Sequence, residues 1–384
     1  MQRGFLKRRG RTWTAYYYLG TGRDRRQKSR GGFATKNAAQ RFLTDVLASL
    51  QRDEYVETTK LTVAEYLLER WLPLMEHSVR PSTWNGYKRG LEQHVIPTIG
   101  HLQLQRLRAD HLDQLYATLV TSGRRDGTGG LAPKTVRSIH TTLHKALRDA
   151  QRKQLVTRNV AQAADPPKIR RREMRTWTNS QLRMFLDGMR DHPLYPAYVL
   201  AATTGMRRGE VLGVRWSDLN VDAHPPRLSV TQTVLSINYQ ITFGAPKTQR
   251  GRRSIALDPT TVRILDEHRQ RQVEERTVLE GAYRDDLNLV FARADGTPIH
   301  PDYFSQTFDR AVARLALPKI RLHDLRHTHA TLGLAAGIPA KVMSDRLGHA
   351  TVAFTQDVYM HAIPQLEADA AEHVAALIFG DAPT

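Results

Sequence analysis

The chain has no cysteine, which excludes disulfides, cysteine-ligated zinc and thiol chemistry. It also lacks any window approaching 18 consecutive apolar residues, and Met1-Gln2-Arg3-Gly4-Phe5-Leu6-Lys7-Arg8-Arg9 has no apolar stretch of the kind a secretory signal needs. No membrane partner is therefore expected. Internal repeats and low-complexity runs are missing as well. Acidic residues are scarce: 38 Asp and Glu stand against 57 Lys and Arg over 384 residues, a formal net charge of +19 with a pI near 10.3. A surplus of that size speaks to a polyanionic partner and not to a fold.

The surplus is segregated. Residues 1–59 hold 13 basic and 5 acidic side chains, residues 60–172 hold 20 and 9, and residues 173–384 hold 24 of each. A protein made basic merely for solubility would spread its charge. A neutral C-terminal half behind two basic segments reads as a catalytic body delivered to double-stranded DNA by binding modules, with salt-sensitive affinity because each neutralised phosphate releases counterions. The expected location is cytoplasmic, at the bacterial nucleoid.

Length and a 40% hydrophobic content suit two or three domains with real cores. Residues 11–19 (RTWTAYYYL) are aromatic and β-branched, Gly20-Thr21-Gly22 signals a turn, and 25–33 returns as a second strand. From Thr35 to Leu50 the apolar residues recur at helical spacing. Residues 1–59 thus predict a small α+β domain, a three-stranded sheet plus one helix. Lys7, Arg8, Arg9, Arg11, Arg25, Arg26 and Lys28 bracket its strands, and a sheet can enter the major groove.

Residues 60–165 predict an all-α bundle with helices over about 62–76, 82–96, 110–121 and 134–154. Lys88, Arg89, Lys134, Arg137, Lys145 and Arg148 are its candidate DNA contacts. Residues 166–172 (PPKIRRR) are stiffened by proline and too charged to enter a core, so they read as a linker. Residues 173–384 predict a mixed, mainly-α domain: helices over about 179–190, 195–204, 208–213, 259–280, 301–316, 322–336 and 339–347, and a small antiparallel sheet from 227–236, 238–243 and 252–257. An amphipathic stretch from Leu366 to Ile378 predicts a tail helix.

The chemistry-bearing residues lie in this last segment. Gly205-Met206-Arg207-Arg208-Gly209-Glu210, Lys247, His323-Asp324-Leu325-Arg326, Leu347-Gly348-His349 and Tyr359 follow one another in order. Two guanidiniums can hold a phosphate through paired charge-assisted hydrogen bonds, two histidines and a lysine can move protons, and a phenol can be the nucleophile. No metal or other cofactor is called for. A zinc or iron site at His323, His327 and His329 would need a carboxylate on the same helix face, and Asp324 is not on it. Arg207 and Arg208 compete, since helix neighbours point about 100° apart and only one can face the site.

In order and spacing these motifs resemble the tyrosine recombinase (phage integrase) family. The resemblance implies that Arg207 and Arg326 grasp the scissile phosphate, His323 and His349 assist proton transfer, Lys247 protonates the departing 5′ oxygen and Tyr359 forms a 3′-phosphotyrosyl bond. Glu210 would orient its neighbours. It further implies an arm-binding domain at 1–59, a core-binding domain at 60–165 that closes on the duplex opposite the catalytic domain at 173–384, arm-type and core-type attachment sites, and a homotetramer. The extra basic domain favours an integrase of a phage or mobile element, served by a host DNA-bending factor and an excision factor. Two other readings use the same residues: a type IB topoisomerase-like relaxing enzyme, and a non-catalytic DNA-binding regulator.

Overall fold

The computed structural model describes residues 4–20, 24–52, 55–169, 174–246, 249–348, 375–376 and 378–380. The chain divides into two compact units, Met1–Arg171 and Arg172–Thr384.

In the first unit, β1 (Phe5–Arg9), β2 (Thr12–Leu19) and β3 (Arg26–Phe33) form an antiparallel sheet in that order. It is backed by α1 (Lys36–Gln51), whose start is capped by Thr35 Oγ1 accepting from the Ala38 amide at 3.2 Å. Strand residues alternate faces, so Ala15 and Tyr17 are buried with Leu43 and Val46 of α1. Register then sorts the basic side chains. Arg8 lies opposite Trp13, Arg26 opposite Leu19 and Lys28 opposite Tyr17, all on the helix side; Lys7 and Arg9 lie opposite Thr14 and Thr12 on the other face. That free face also carries the stacked pair Phe5 and Tyr16, and Tyr18 beneath the Arg25 guanidinium, 3.8 Å from the ring centre.

The rest of this unit is helical: α2 (Leu72–Glu76), α3 (Pro81–Gly90), α4 (Ile96–Ile99), α5 (Ala109–Ser122) and α6 (Pro133–Arg152). The first two predicted helices are continuous but not regular. A π-helical stretch, Glu65–Trp71, runs into α2, and another, Leu91–Val95, joins α3 to α4. Pro73 and Pro97 account for both, because a proline lacks the amide hydrogen and its ring crowds the carbonyl four residues back, which widens the preceding turns. The bundle closes around Tyr66, whose hydroxyl donates to the Ala146 carbonyl at 2.7 Å, and Trp71, whose indole donates to buried Asp149 at 3.0 Å. Beyond α6, the Asp165 amide donates to Asp113 at 2.7 Å and Arg137 to the Pro167 carbonyl at 3.5 Å, so the start of the linker segment lies along the bundle.

The second unit contains α7 (Asn179–Gly188), α8 (Tyr195–Thr204), α9 (Arg208–Leu212), β4 (Leu219–Asn220), β5 (Arg227–Val230), β6 (Thr233–Ile237), β7 (Gln240–Gly244), β8 (Arg253–Ala256), α10 (Pro259–Leu279), α11 (Pro301–Arg314), α12 (Asp324–Ala335) and α13 (Ala340–Leu347). α8 is apolar almost all round and buried accordingly, with Tyr198 stacked on Phe304 at 4.5 Å and packed edge-on against Phe185. The predicted strand over 227–236 is two strands in two sheets, which corrects the single small sheet. β5 lies between β4 and β8, while β6 and β7 form a separate two-stranded sheet among the described residues. The break falls where Thr231 donates to Asp218 at 2.8 Å and Gln232 to the Gly213 carbonyl at 2.9 Å, bonds that turn the chain out of the first sheet. Leu366, Ala370, Val374 and Leu377 of the expected tail helix lie outside the described residues, and Ile378 is exposed. Among the described residues no helix is long and apolar enough to cross a membrane.

Candidate active site

The site begins where α8 ends. Gly205 takes the left-handed conformation, φ +64°, that stops the helix, and the chain turns through Met206 so that Arg207 precedes the first turn of α9. Helix C-terminal carbonyls need external donors. Here three side chains supply them: His329 Nδ1 donates to Ala202 at 2.9 Å, Arg346 to Thr203 at 2.9 Å and Arg326 to Gly205 at 2.7 Å.

Arg326, on the first turn of α12, is 3% exposed and donates with its other terminal nitrogen to the Leu347 carbonyl at 2.6 Å. Leu347 is the last residue of α13, and Gly348 stops that helix with φ +67°. A Cβ on Gly348 would sit 2.8 Å from the Arg250 carbonyl oxygen. Glycine is required there by both conformation and space.

Arg207 is held from behind by Glu210. The carboxylate, 4% exposed, accepts from the Arg207 amide at 3.0 Å and from its guanidinium at 2.8 Å, and its second contact is Arg253 at 2.9 Å. Burial pushes this carboxyl up, but the Arg253 charge and hydrogen bond, with Arg207, outweigh it and keep the group below the usual carboxylate range. The Arg207 side chain remains 43% exposed. Arg208 points elsewhere, donating to the Pro301 carbonyl, Asp302 and Ser305 at 2.8–3.2 Å. The two neighbours thus have separate tasks, one facing outward and one pinning α9 to α11.

His323 precedes α12 and packs edge-on against His327, ring centres 5.3 Å apart. Burial and then the Arg326 charge push its imidazole below the ordinary range, Arg207 and Arg321 adding to the shift and Asp324 opposing it. Burial likewise lowers His327 to about 4, and burial with Arg346 lowers His329 to about 4. A neutral imidazole therefore lies within electrostatic reach of both guanidiniums. Such a set of side chains can hold an anion and pass a proton. Among the described residues no three His, Cys, Asp or Glu side chains are grouped as metal ligands would be.

Arg207, Glu210, His323 and Arg326 are thus brought together. Lys247, His349 and Tyr359 lie outside the described residues. The sequence reading missed Arg253 and Arg346, and weighed His329 only as a metal ligand. Arg253 did leave a signal: it alternates with buried Ile255 and lies opposite buried Val230, so a strand reading places it inward.

Of the basic residues singled out in the first unit, Lys7, Arg8, Arg9, Arg11, Arg25, Arg26, Arg89, Lys134, Arg137 and Arg148 are exposed. The other three pair with carboxylates. Lys28 pairs with Glu57, Lys145 with Asp149 at 3.7 Å, and Lys88 with Glu92 at 4.0 Å while lying over the Trp84 ring.

Comparison with known proteins agrees with the architecture. Residues 176–365 match the model of the phage integrase family, residues 62–120 its N-terminal SAM-like domain, and residues 5–50 an arm DNA-binding domain. The tyrosine recombinase XerC-like protein of Caldanaerobacter subterraneus subsp. tengcongensis is 23% identical over 357 residues, 88% of this chain and 89% of that one. The ICEBs1 integrase of Bacillus subtilis strain 168 is 24% identical, covering 81% and 82%. Among solved structures, the Tn1549 transposon integrase in complex with a circular intermediate DNA superposes with a TM-score of 0.67 at 21% identity, covering 82% of this chain and 100% of that one. A lambda integrase tetramer bound to a Holliday junction gives 0.55 at 18% identity, covering 88% and 93%.

Fold, site and relatives define an enzyme that cleaves and rejoins DNA. The chain belongs to the phage integrase family, the tyrosine recombinases, and its reaction is site-specific recombination.

Proposed function

We propose that this recombinase integrates, and in the reverse direction excises, a phage or mobile element through a 3′-phosphotyrosyl intermediate. Arg207 and Arg326 hold the non-bridging oxygens of the scissile phosphate. The Tyr359 oxygen attacks phosphorus, its proton passing to a histidine of the site, His323 or His349. The bond to the 5′ oxygen breaks, and Lys247 protonates that oxygen. In the second step a 5′ hydroxyl from the partner duplex attacks the phosphotyrosine, restores the backbone and releases Tyr359 with its proton returned. Bond energy stays in the protein linkage, so the steps as written consume no ATP.

The observation that carries this reading is the pair of guanidiniums anchored from behind, Arg207 by Glu210 and Arg326 by the Gly205 and Leu347 carbonyls, both close enough to His323 to lower its affinity for a proton. Arginines fixed in advance stabilise the charge of a pentacoordinate phosphorane without reorganising.

Residues 1–59 are the arm-binding domain, 60–165 the core-binding domain, 166–172 the linker and 173–384 the catalytic domain with its tail. The arm sheet meets DNA with the face opposite α1, where Lys7, Arg9 and Arg25 stand among aromatic rings. On the bundle, Lys134, Arg137 and Arg148 share one exposed face of α6. Four protomers act on two attachment sites at the nucleoid, a reading supported by the tetramer of the lambda relative on a Holliday junction. A host DNA-bending factor and an excision factor complete the assembly.

The test is incubation in EDTA with DNA flanking the protein's own gene, followed by denaturation. A covalent protein–DNA adduct should form with the wild type and not with Tyr359→Phe. Tight, salt-sensitive binding to that DNA with no adduct would overturn the catalytic reading.

A further inference from the structure

Arg253 is a buried arginine that none of the recombination steps uses. It sits at the start of β8, and its side chain is 6% exposed. All three of its nitrogens are engaged: Nε donates to the Arg346 carbonyl at 2.7 Å, one terminal nitrogen to Glu210 at 2.9 Å and the other to the Gly251 carbonyl at 3.2 Å. These acceptors belong to three different segments. Glu210 holds Arg207, Arg346 precedes Leu347-Gly348, and Gly251 lies in the turn that follows Lys247 in sequence.

The neighbouring bonds give this arrangement its meaning. Consecutive carbonyls at the end of α13 are held by two arginines, Arg346 by Arg253 and Leu347 by Arg326. Gly348 packs directly on Arg253, since a Cβ there would lie 3.2 Å from the Arg253 Cδ. One rigid guanidinium therefore ties the carboxylate behind the first phosphate-holding arginine to the helix end anchored by the second. A lysine, with a single nitrogen, cannot reach all three acceptors with the same geometry.

We infer that Arg253 is a positioning residue of the recombination reaction: by holding Glu210 in place, it fixes Arg207 on the same frame as the α13 terminus and Arg326. The inference rests on the phosphodiester reading above. Electrostatics makes it testable. Glu210 is 4% exposed, and burial alone favours its neutral form. Once neutral, the carboxyl no longer forms an ion pair with Arg207, and the grip on phosphate loosens.

The experiment measures adduct formation on a nicked attachment-site duplex from pH 5.5 to 9, with gel-shift affinity and thermal melting as checks of folding and binding. Wild type and Tyr359→Phe serve as controls. Arg253→Gln should lower the rate by about 100-fold at pH 6.5 and recover as pH rises and Glu210 ionises, with DNA affinity within about threefold. Arg253→Lys keeps a charge beside Glu210, so it should lose about 10-fold without the acid-side fall. In Arg253→Gln with Glu210→Gln that fall should vanish, because the titrating group is gone. A loss that is independent of pH in Arg253→Gln, or an acid-side fall that survives in the double variant, overturns the inference. Should Arg253→Gln not fold, an Arg253→Lys rate equal to wild type overturns it alone. No adduct from the wild type would instead overturn the phosphodiester reading.

Discussion

Arg326 donates to the carbonyl of Gly205 at 2.7 Å, across 121 positions of sequence. Arg326 thereby fixes the turn from which Arg207, the other arginine proposed to hold phosphate, projects two residues later. The same guanidinium holds Leu347 at 2.6 Å, so one side chain ties the end of α8 to the end of α13.

Arg326→Lys should therefore fail twice. A lysine nitrogen can serve one of the two carbonyls and leaves the other buried without a donor, which costs about 1–3 kcal/mol of stability. Urea denaturation at pH 7 should show that loss, and the adduct rate should fall by at least ~100-fold as the bidentate grip disappears. A lysine variant that cleaves at the wild-type rate would remove Arg326 from the chemistry.

The adjacent arginines should separate cleanly. Arg207→Ala removes the partly exposed guanidinium proposed to hold phosphate and should cut cleavage by roughly 1,000-fold with little change in melting temperature. Arg208→Ala removes the bonds to Pro301, Asp302 and Ser305; because that contact is 38% exposed, it should cost about 1 kcal/mol and leave cleavage within about tenfold. The reverse pattern would mean that Arg208 is the residue on the phosphate.

How much of this was legible beforehand follows from the range of each interaction. The helices could be read because their periodicity is local. The π-helical stretches before Pro73 and Pro97 and the break at Thr231-Gln232 were not foreseen. The first depends on how a bundle tolerates a proline, the second on side-chain bonds to Gly213 and Asp218. Arg207, Glu210 and Arg326 stood out as motif residues, yet Arg253, Arg346 and His329 did not. Apart from the Gly251 carbonyl beside Arg253, the main-chain carbonyls and the carboxylate they hold lie 43 to 143 positions away, and no pattern in the chain marks a carbonyl in need of a donor. Among the basic residues, composition could not say that Lys28 pairs with Glu57 or Lys145 with Asp149.

Buried histidines should make the protein acid-sensitive above the range where carboxylates titrate. His327 and His329 sit at about 4 in the folded chain, burial being the main cause, and His323 is shifted the same way. Unfolded, each binds its proton near 6.5. Between those values the unfolded state takes up protons that the folded state refuses, so stability is fully present above about pH 6.5 and declines as pH falls toward 4. Melting temperature followed from pH 7 to 4.5 should drop over that interval. His327→Gln should flatten the drop, and an unchanged slope in that variant would contradict the burial argument.

The arm domain offers a test that separates position from charge. Lys7 and Arg9 lie on the sheet face away from α1, whereas Lys28 is paired with Glu57 on the helix side. All three contribute equally to net charge, so a purely electrostatic cloud would treat them alike. A residue that neutralises a particular phosphate instead contributes about one unit to the dependence of log affinity on log salt. Lys7→Ala and Arg9→Ala should each reduce that slope for arm-site duplex by about 0.9, and together by nearly twice as much, while Lys28→Ala should leave it within error. Titrations by fluorescence anisotropy between roughly 50 and 200 mM salt would read the slopes directly. If Lys28→Ala matched Lys7→Ala, the register would not be selecting the face that meets DNA, and the sheet would have to dock through its helix side or its edge.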